Sequence, residues 1–187
     1  MNPNRVFSLP LSLSLSVFTA LIVACSAGAG SGTSGTGAGG TPLTPEQLMA
    51  YSGPAPKNLD TREGVWMSGP VRMELRNGVM TVASKCNDKV FGGATQAQPS
   101  AAIEDIQTGG MTVPFAKITV LAPLSASSGA VGDAASCFIS LAEGTYSVVV
   151  EGKGAAIRFY NGSEKAGLKF SKGGKDDFYS AFTKIGD

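Results

Sequence analysis

An Asn-Gly turn between two alternating segments is the feature that most restricts how this chain folds. Asn77-Gly78 interrupts residues 71–83, in which apolar and polar side chains alternate. Asn-Gly favours the positive φ angles of a two-residue type I′ turn, which predicts a β-hairpin that places Leu75 opposite Met80. The apolar positions that share one face are Val71, Met73, Leu75, Met80 and Val82. We therefore expect an antiparallel sheet with one core face and one solvent face.

Further stretches carry the residues typical of strands. They cover residues 111–121, 137–141, 145–151, 155–160 and 167–171. Turn residues such as Asn161-Gly162-Ser163 separate them at intervals of about eight to twelve residues, a spacing typical of a meander. Residues 92–112 are weakly patterned, with a short helix expected after Pro99. Residues 125–136 predict an exposed Ser/Ala/Gly loop.

Helix signals stand at both ends of this region. Thr44-Pro45-Glu46-Gln47 forms a capping box with proline at the first helical position, which predicts a short helix. Asp176 is suited to cap a last helix, in which Phe178, Phe182 and Ile185 recur on one face. The sequence therefore predicts an α+β fold. Its meander-like antiparallel sheet has about six to seven strands, a short N-terminal helix and a C-terminal helix packed on it.

The first twenty-five residues have the layout of a secretory signal. Arg5 is the only charge before a largely apolar segment, residues 6–23. The segment leads into Ile22-Val23-Ala24-Cys25, which resembles the lipobox of bacterial lipoproteins. The resemblance implies that residues 1–24 are a signal peptide, and that Cys25 receives diacylglycerol and an N-acyl chain such as palmitate. Alternative interpretations are a transmembrane anchor, for which about eighteen residues are barely enough, and an ordinary signal peptide.

The residues after Cys25 predict a flexible tether. Residues 26–41 contain only Gly, Ala, Ser and Thr, so they carry no charge and have little to bury. Such a segment behaves as a random coil with a root-mean-square span of about 20–24 Å. Residues 25–41 would thus hold a single globular domain, residues 42–187, away from the bilayer. Because Ser26 is not aspartate, the lipoprotein resemblance implies sorting to the outer membrane.

The remaining cysteines form a natural pair. The chain has three cysteines, and lipidation of Cys25 leaves Cys86 and Cys137 in an oxidising compartment, where a disulfide is expected. Closing a loop of about 51 residues corresponds to roughly 4 kcal/mol in the chain-entropy model. The alternative, a redox-active pair, lacks the C-x-x-C spacing.

Histidine is absent from the chain, which narrows the chemistry available to it. Ser-His-Asp and Cys-His catalysis and His-ligated metal sites are excluded. The net charge of +1 gives no field that attracts nucleic acid. We expect no enzymatic activity, no catalytic residue, no metal and no cofactor apart from the acyl chains on Cys25. The alternative is a histidine-free hydrolase of glycan or cell-wall substrates that uses paired carboxylates.

Basic residues are concentrated in residues 153–175, where Glu164 is the only acid. They are Lys153, Arg158, Lys165, Lys169, Lys172 and Lys175. Interleaved aromatic residues would give these cations a surface suited to anionic glycans or lipid phosphates. The alternative is a solvated sheet face whose charges are balanced by acids elsewhere in the domain.

Two motifs in the folded region resemble known families. Gly64-Val65-Trp66 resembles the opening G-x-W of lipocalins, which implies a closed barrel around a small apolar ligand. Trp66, the hairpin, Cys86-Asn87 and Gly92 loosely resemble the META domain of envelope proteins, a resemblance that carries over no site residue.

These observations predict a lipid-anchored envelope protein, exposed to the periplasm or to the cell surface as a surface antigen would be. The expected role is non-enzymatic binding or scaffolding. Its partners would be the membrane, through the acyl chains, and an envelope protein or an anionic glycan or lipid. A small apolar ligand carrier with a lipocalin-like barrel is the alternative among binding proteins.

Overall fold

The protein is represented by a computed structural model that describes residues 40–59, 62–100, 103–129, 135–160 and 167–187. The predicted signal peptide, Cys25 and the tether up to residue 39 lie outside the described residues, as do Lys165 and the turn at 161–163. Among the residues described, no helix has the length and apolar character needed to cross a bilayer.

The described part of the chain consists of one short α-helix and thirteen β-strands. In chain order they are α1 (Pro45–Met49), β1 (Gly64–Ser68), β2 (Val71–Arg76), β3 (Val79–Cys86), β4 (Lys89–Pro99), β5 (Glu104–Thr108), β6 (Met111–Val120), β7 (Leu124–Ser127), β8 (Cys137–Leu141), β9 (Gly144–Glu151), β10 (Ala156–Tyr160), β11 (Leu168–Lys172), β12 (Lys175–Tyr179) and β13 (Ala181–Gly186). A 3-10 turn at Gly152–Gly154 joins β9 to β10.

Eight strands form a closed antiparallel barrel. Around the barrel they follow chain order, β1-β2-β3-β4-β6-β9-β10-β13, and β13 pairs with β1. The wall closes between β4 and β6, where Ala97 lies opposite Val120. β5 is an additional strand that pairs with the first half of β6. Closure satisfies the main-chain groups that an open sheet would leave unpaired at its edges.

A second sheet of four strands, in the order β12-β11-β8-β7, completes the fold. Its apolar face belongs to the same buried core as the barrel interior. The rings of Phe91 on β4 and Phe170 on β11 lie 6.2 Å apart across the two sheets. A disulfide joins Cys86 at the end of β3 to Cys137 at the start of β8, with the two Cα atoms 5.9 Å apart. The predicted disulfide is therefore confirmed.

The α+β prediction is wrong, because the structure is almost entirely β. The predicted C-terminal helix is replaced by β12 and β13. The spacing of Phe178, Phe182 and Ile185 has a different origin: Phe178 lies on β12 and is partly exposed, whereas Phe182 on β13 points into the barrel core. Ile185 packs on the outside of the barrel. The spacing typical of one apolar helix face therefore arises here from three residues that lie on three separate surfaces.

The number of strands was also predicted too low. The weakly patterned residues 92–112 contain most of β4 and all of β5, so Glu104–Thr108 forms a strand where a helix was expected. The predicted loop at residues 125–136 contains most of β7. Alternating small and polar residues on a strand give little hydrophobic periodicity, which is the main signal that sequence offers for a strand.

The predicted hairpin and N-terminal helix are both confirmed. Asn77 and Gly78 have φ angles of 51° and 73°, as a type I′ turn requires, and Leu75 lies opposite Met80. At the helix, the Gln47 N–H donates to the Thr44 hydroxyl, and the Thr44 N–H donates to the Gln47 side chain. Local turn and capping chemistry was sufficient to predict both.

The outer face of the hairpin is not a solvent face, which corrects the prediction. Residues 40–59, which we call the strap, run across the outside of the barrel. Leu48 of the strap packs with Val65 and Ala83 in a small outer core. Glu74 and Thr81, on the same outer face, are also buried. The wall formed by β2 and β3 is therefore covered on both sides.

Candidate functional site

The barrel interior is filled by the protein's own side chains. The inward-facing residues of largest volume that are less than 2% exposed are Trp66, Met73, Leu75, Met80, Ile118 and Phe182. They pack in a single cluster. An eight-stranded barrel is just wide enough for side chains to fill its interior or to hold one small ligand. In the described residues, the first arrangement is the one observed.

The indole of Trp66 is the polar group of this interior without a hydrogen bond. Its Nε1 is buried and has no partner among the described residues. Two buried hydroxyls of the barrel wall, by contrast, have acceptors: Ser84 donates to the Pro70 carbonyl at 3.1 Å, and Thr95 to the Ala122 carbonyl at 2.6 Å. A buried donor without an acceptor is uncommon and marks a position where a small acceptor would be stabilised.

One end of the barrel is closed by Lys184, whose side chain is fully buried. Its Nζ donates to the Asn58 carbonyl at 2.5 Å and lies 3.3 Å from Oδ1 of Asp187. The same Nζ lies over the ring of Trp66, 5.7 Å from the centroid, a cation–π contact. The buried cation therefore links the strap to the interior.

Asp187 is the carboxylate that holds this end together. Its Oδ2 accepts the main-chain N–H of Lys57 at 2.7 Å. Partial burial raises the pKa of Asp187, but the hydrogen bonds from Lys57, Lys184 and Asn58 lower it by more, so the pKa lies below its usual value. The carboxylate is thus held ionised beside the buried ammonium group.

The strap is fastened to the barrel wall by a second polar cluster. Glu74 is fully buried and accepts the Leu43 N–H at 2.6 Å and the Arg76 Nε at 2.7 Å. Arg72 donates to the carbonyls of Leu48 and Tyr51 at 3.0 and 2.8 Å. Every one of these contacts satisfies a group within the protein, so we interpret the cluster as structural.

Five of the predicted anion-binding residues lie among the described residues, and they are distributed over several elements. Lys169 is paired with Asp176 at 2.7 Å, and Arg158 with Glu151 at 3.3 Å. Lys153 lies in the 3-10 turn between β9 and β10. Two residues of the set do lie together: Lys172 and Lys175 are directly opposite each other at the tip of the β11–β12 hairpin.

Reasoning from the sequence did not single out two lysines that the structure makes prominent, Lys184 and Lys89. Lys184 was placed in the expected C-terminal helix, where its burial had no signal. Lys89 lies outside the basic segment, but its strand partner is Cys86, and the partner of Lys172 is Cys137. The disulfide thus places Lys89 and Lys172 in one row of residues, an arrangement that depends on the pairing of strands distant in the chain. Among the described residues, no group of three or more acidic or cysteine side chains could hold a metal ion.

Comparisons with known proteins leave the family open. Neither the protein-family models, nor the curated proteins, nor the solved structures give a match to this chain. The lipobox and the lipocalin and META resemblances consequently rest on their sequence motifs alone. The barrel nevertheless has the architecture that the ligand-carrier alternative requires.

Proposed function

We propose that the protein is a lipid-anchored, non-enzymatic binding module of the bacterial cell envelope. The location is supported by Ile22-Val23-Ala24-Cys25 at the end of the apolar segment. Each buried methylene of an acyl chain contributes about 0.8 kcal/mol, so two or three chains on Cys25 give stable anchoring. Ser26 directs the anchored protein to the outer membrane of a cell that has one.

The packing of the barrel interior supports recognition on the outer surface, and it is the observation on which the proposal chiefly depends. Met73, Met80 and Ile118 are fully buried by neighbouring side chains. A ligand inside would have to displace such residues and lose their contacts, at a cost of several kcal/mol for each large side chain. We therefore interpret the barrel as a rigid support that presents its surface to a partner.

The anchor is tested on the full-length chain expressed in a bacterium. The mature protein should begin at Cys25, carry the mass of two or three acyl chains and remain with the membrane fraction. The Cys25→Ser variant should accumulate as an uncleaved or soluble precursor. An unmodified Cys25 in the mature protein, or a Cys25→Ser variant with unchanged mass and membrane partition, would overturn the proposed location.

A small apolar ligand carrier is the second candidate, and the Trp66 indole favours it. The ligand would place a carbonyl or carboxylate oxygen on the unpaired Nε1 and its apolar part among the neighbouring side chains. The methionines at positions 73 and 80 are the residues best able to rearrange around it, because the unbranched thioether side chain adapts its shape.

Trp66 also provides the test, because it is the only tryptophan in the chain. Titration with medium- and long-chain fatty acids should leave its emission unchanged if the interior is a filled core. A saturable change in emission, together with a one-to-one ligand adduct in native mass spectrometry, would establish the carrier function instead.

The hydrolase alternative gains no support from four of the carboxylates that the structure describes. Glu74, Glu151, Asp176 and Asp187 are each engaged in an ion pair. Carboxylates held in this way are poorly suited to exchange a proton with a substrate. We do not propose this function.

A further inference from the structure

The disulfide lies within a row of residues that crosses neighbouring strands and has a lysine at each end. In the barrel wall, Lys89 is opposite Cys86. In the second sheet, Lys172 is opposite Cys137, and Lys175 is opposite Lys172. Directly opposed residues in antiparallel strands are about 5 Å apart, and the two half-cystines are 5.9 Å apart. We call Lys89, Lys172 and Lys175 the lysine rim.

The three side chains of the lysine rim leave their strands on the core side. Lys89 shares its face of β4 with the buried Phe91, and Lys172 shares its face of β11 with the buried Phe170. Side chains two residues apart on a strand point to the same face. All three lysines are nevertheless exposed, because they lie at the ends of their strands, beyond the core. Their ammonium groups therefore border the junction between the barrel and the second sheet.

The pairing of Lys172 with Lys175 is locally unfavourable. Like charges directly opposite each other destabilise a sheet. On the other face of the same hairpin, Lys169 has Asp176 as its ion-pair partner at 2.7 Å. Within the described part of the chain, no carboxylate forms an ion pair with any residue of the lysine rim. The nearest acids in sequence and register are Asp88, in the β3–β4 turn, Asp176, opposite Ser171 one pair further along the hairpin, and Asp177, opposite Phe170 two pairs along.

We propose that the lysine rim binds a carboxylate-bearing polymer of the cell wall. This inference rests on the proposed function, because it names the partner of an envelope-anchored binding module. A polymer with repeated carboxylates places one anion between Lys172 and Lys175 and another at Lys89 across the disulfide. The disulfide fixes the spacing of the two positions, so the site needs little ordering when it binds.

The position of the lysine rim favours the wall over the membrane that holds the anchor. The strap begins at the opposite end of β3, where the Asn77 side-chain amide donates to the Gly40 carbonyl at 2.9 Å. β3 has 8 residues, so its two ends, Val79 and Cys86, are separated by roughly 23 Å. The lysine rim therefore lies at the end of the barrel remote from Gly40, the first residue that the structure describes.

The test is co-sedimentation of the full-length chain, purified in detergent, with peptidoglycan sacculi. The double variant Lys172→Glu and Lys175→Glu should reduce the bound fraction by about tenfold or more, because it replaces attraction by repulsion. Raising the salt concentration should weaken binding of the unmodified chain in the same direction. The matched control is Lys117→Glu with Lys153→Glu, which makes the same change in net charge on other elements and should bind normally.

Three results would overturn the inference. The first is that the Lys172→Glu and Lys175→Glu variant binds sacculi as well as the unmodified chain does. The second is that the control variant loses as much binding as this double variant. The third is that binding to phosphatidylglycerol vesicles, but not to sacculi, depends on these lysines. Unchanged Trp66 emission in each variant shows that the barrel is intact. If Cys25 is lipidated but binding to sacculi does not depend on the lysine rim, only the role of the lysine rim is disproved. If Cys25 is not lipidated, the proposed location is disproved, whatever the result with sacculi.

Discussion

Glu74 is the residue on which the covering of the barrel wall most depends. In the alternating hairpin it occupies a polar position, and an isolated hairpin would leave it in water. Instead it is fully buried, with Arg76 and the Leu43 N–H as partners. The hairpin pattern shows which face Glu74 lies on. It contains no information on the strap, whose approach is set by contacts more than thirty positions away along the chain.

Glu74→Ala should lower the free energy of unfolding by roughly 3 kcal/mol. Removing one partner of a fully buried ion pair leaves the other charge uncompensated and lowers the free energy of unfolding by about 3–5 kcal/mol. We expect the lower end of this range because Arg76 retains some contact with solvent. The measurement is urea denaturation followed by Trp66 emission. Glu143→Ala, at an exposed position, is the control and should change stability by no more than about 0.5 kcal/mol. Equal effects of the two substitutions would show that Glu74 does not fasten the strap.

Asp187 should make the closed end of the barrel sensitive to acid. Its pKa is lower in the folded protein than its usual value of 3.8. The carboxylate therefore stabilises the folded state fully above that value, and the contribution is lost as the pH falls through the lower, folded-state pKa. Asp187→Asn should be less stable at neutral pH, and its stability should vary less with pH below about 4. Parallel stability profiles for the two proteins between pH 5 and the acid limit would contradict this assignment.

At the scale of elements, turn chemistry was a better guide than apolar periodicity. Asn77-Gly78 correctly predicted the hairpin and its register, because both residues must accept positive φ. Gly173-Gly174 also have positive φ, at 57° and 75°, and they turn a hairpin where the sequence was interpreted as the approach to a helix. The helical spacing at Phe178 and Phe182 failed because a single residue separates β12 from β13. Consecutive strands in different sheets do not share one period.

Adjacent glycines on β4 should respond very differently to alanine. A Cβ at Gly92 would lie 2.1 Å from the Val82 carbonyl oxygen and 3.1 Å from Pro45 of α1, whereas a Cβ at Gly93 would meet nothing closer than 3.9 Å. Gly92→Ala should therefore destabilise the protein by about 1–3 kcal/mol through overpacking. Gly93→Ala should be neutral or slightly stabilising, because it restricts the unfolded chain. The measurement is thermal unfolding of both variants. Similar melting temperatures would contradict the close approach of Gly92 to the Val82 carbonyl.

For the whole molecule, closure was the property that the strand and turn pattern could not supply, and only the resemblance at Gly64-Val65-Trp66 implied it. The expected meander gives the order of the barrel strands, since neighbours in the chain are neighbours in the wall. Whether β13 returns to β1 depends on strand tilt and stagger, which are collective properties of all eight strands. The two insertions, β7–β8 and β11–β12, then pair with each other rather than with the barrel. The lysine rim arises from that distant pairing, which places Lys89 in one row with Lys172 and Lys175.

The shared core predicts that the barrel and the second sheet unfold together. Phe91, Phe159 and Phe170 belong to one buried cluster that spans both sheets. Urea transitions monitored by Trp66 emission, which reports on the barrel, and by far-ultraviolet circular dichroism should therefore coincide.

In the Cys86→Ser/Cys137→Ser variant, loss of a cross-link over 51 residues should lower stability by roughly 4 kcal/mol in the chain-entropy model. In this variant, the common core predicts that amides of β8 and β11 lose protection from hydrogen exchange together with those of β2 and β3. Earlier exchange in β8 and β11 of the variant would show that the disulfide, rather than the common core, holds the second sheet in place.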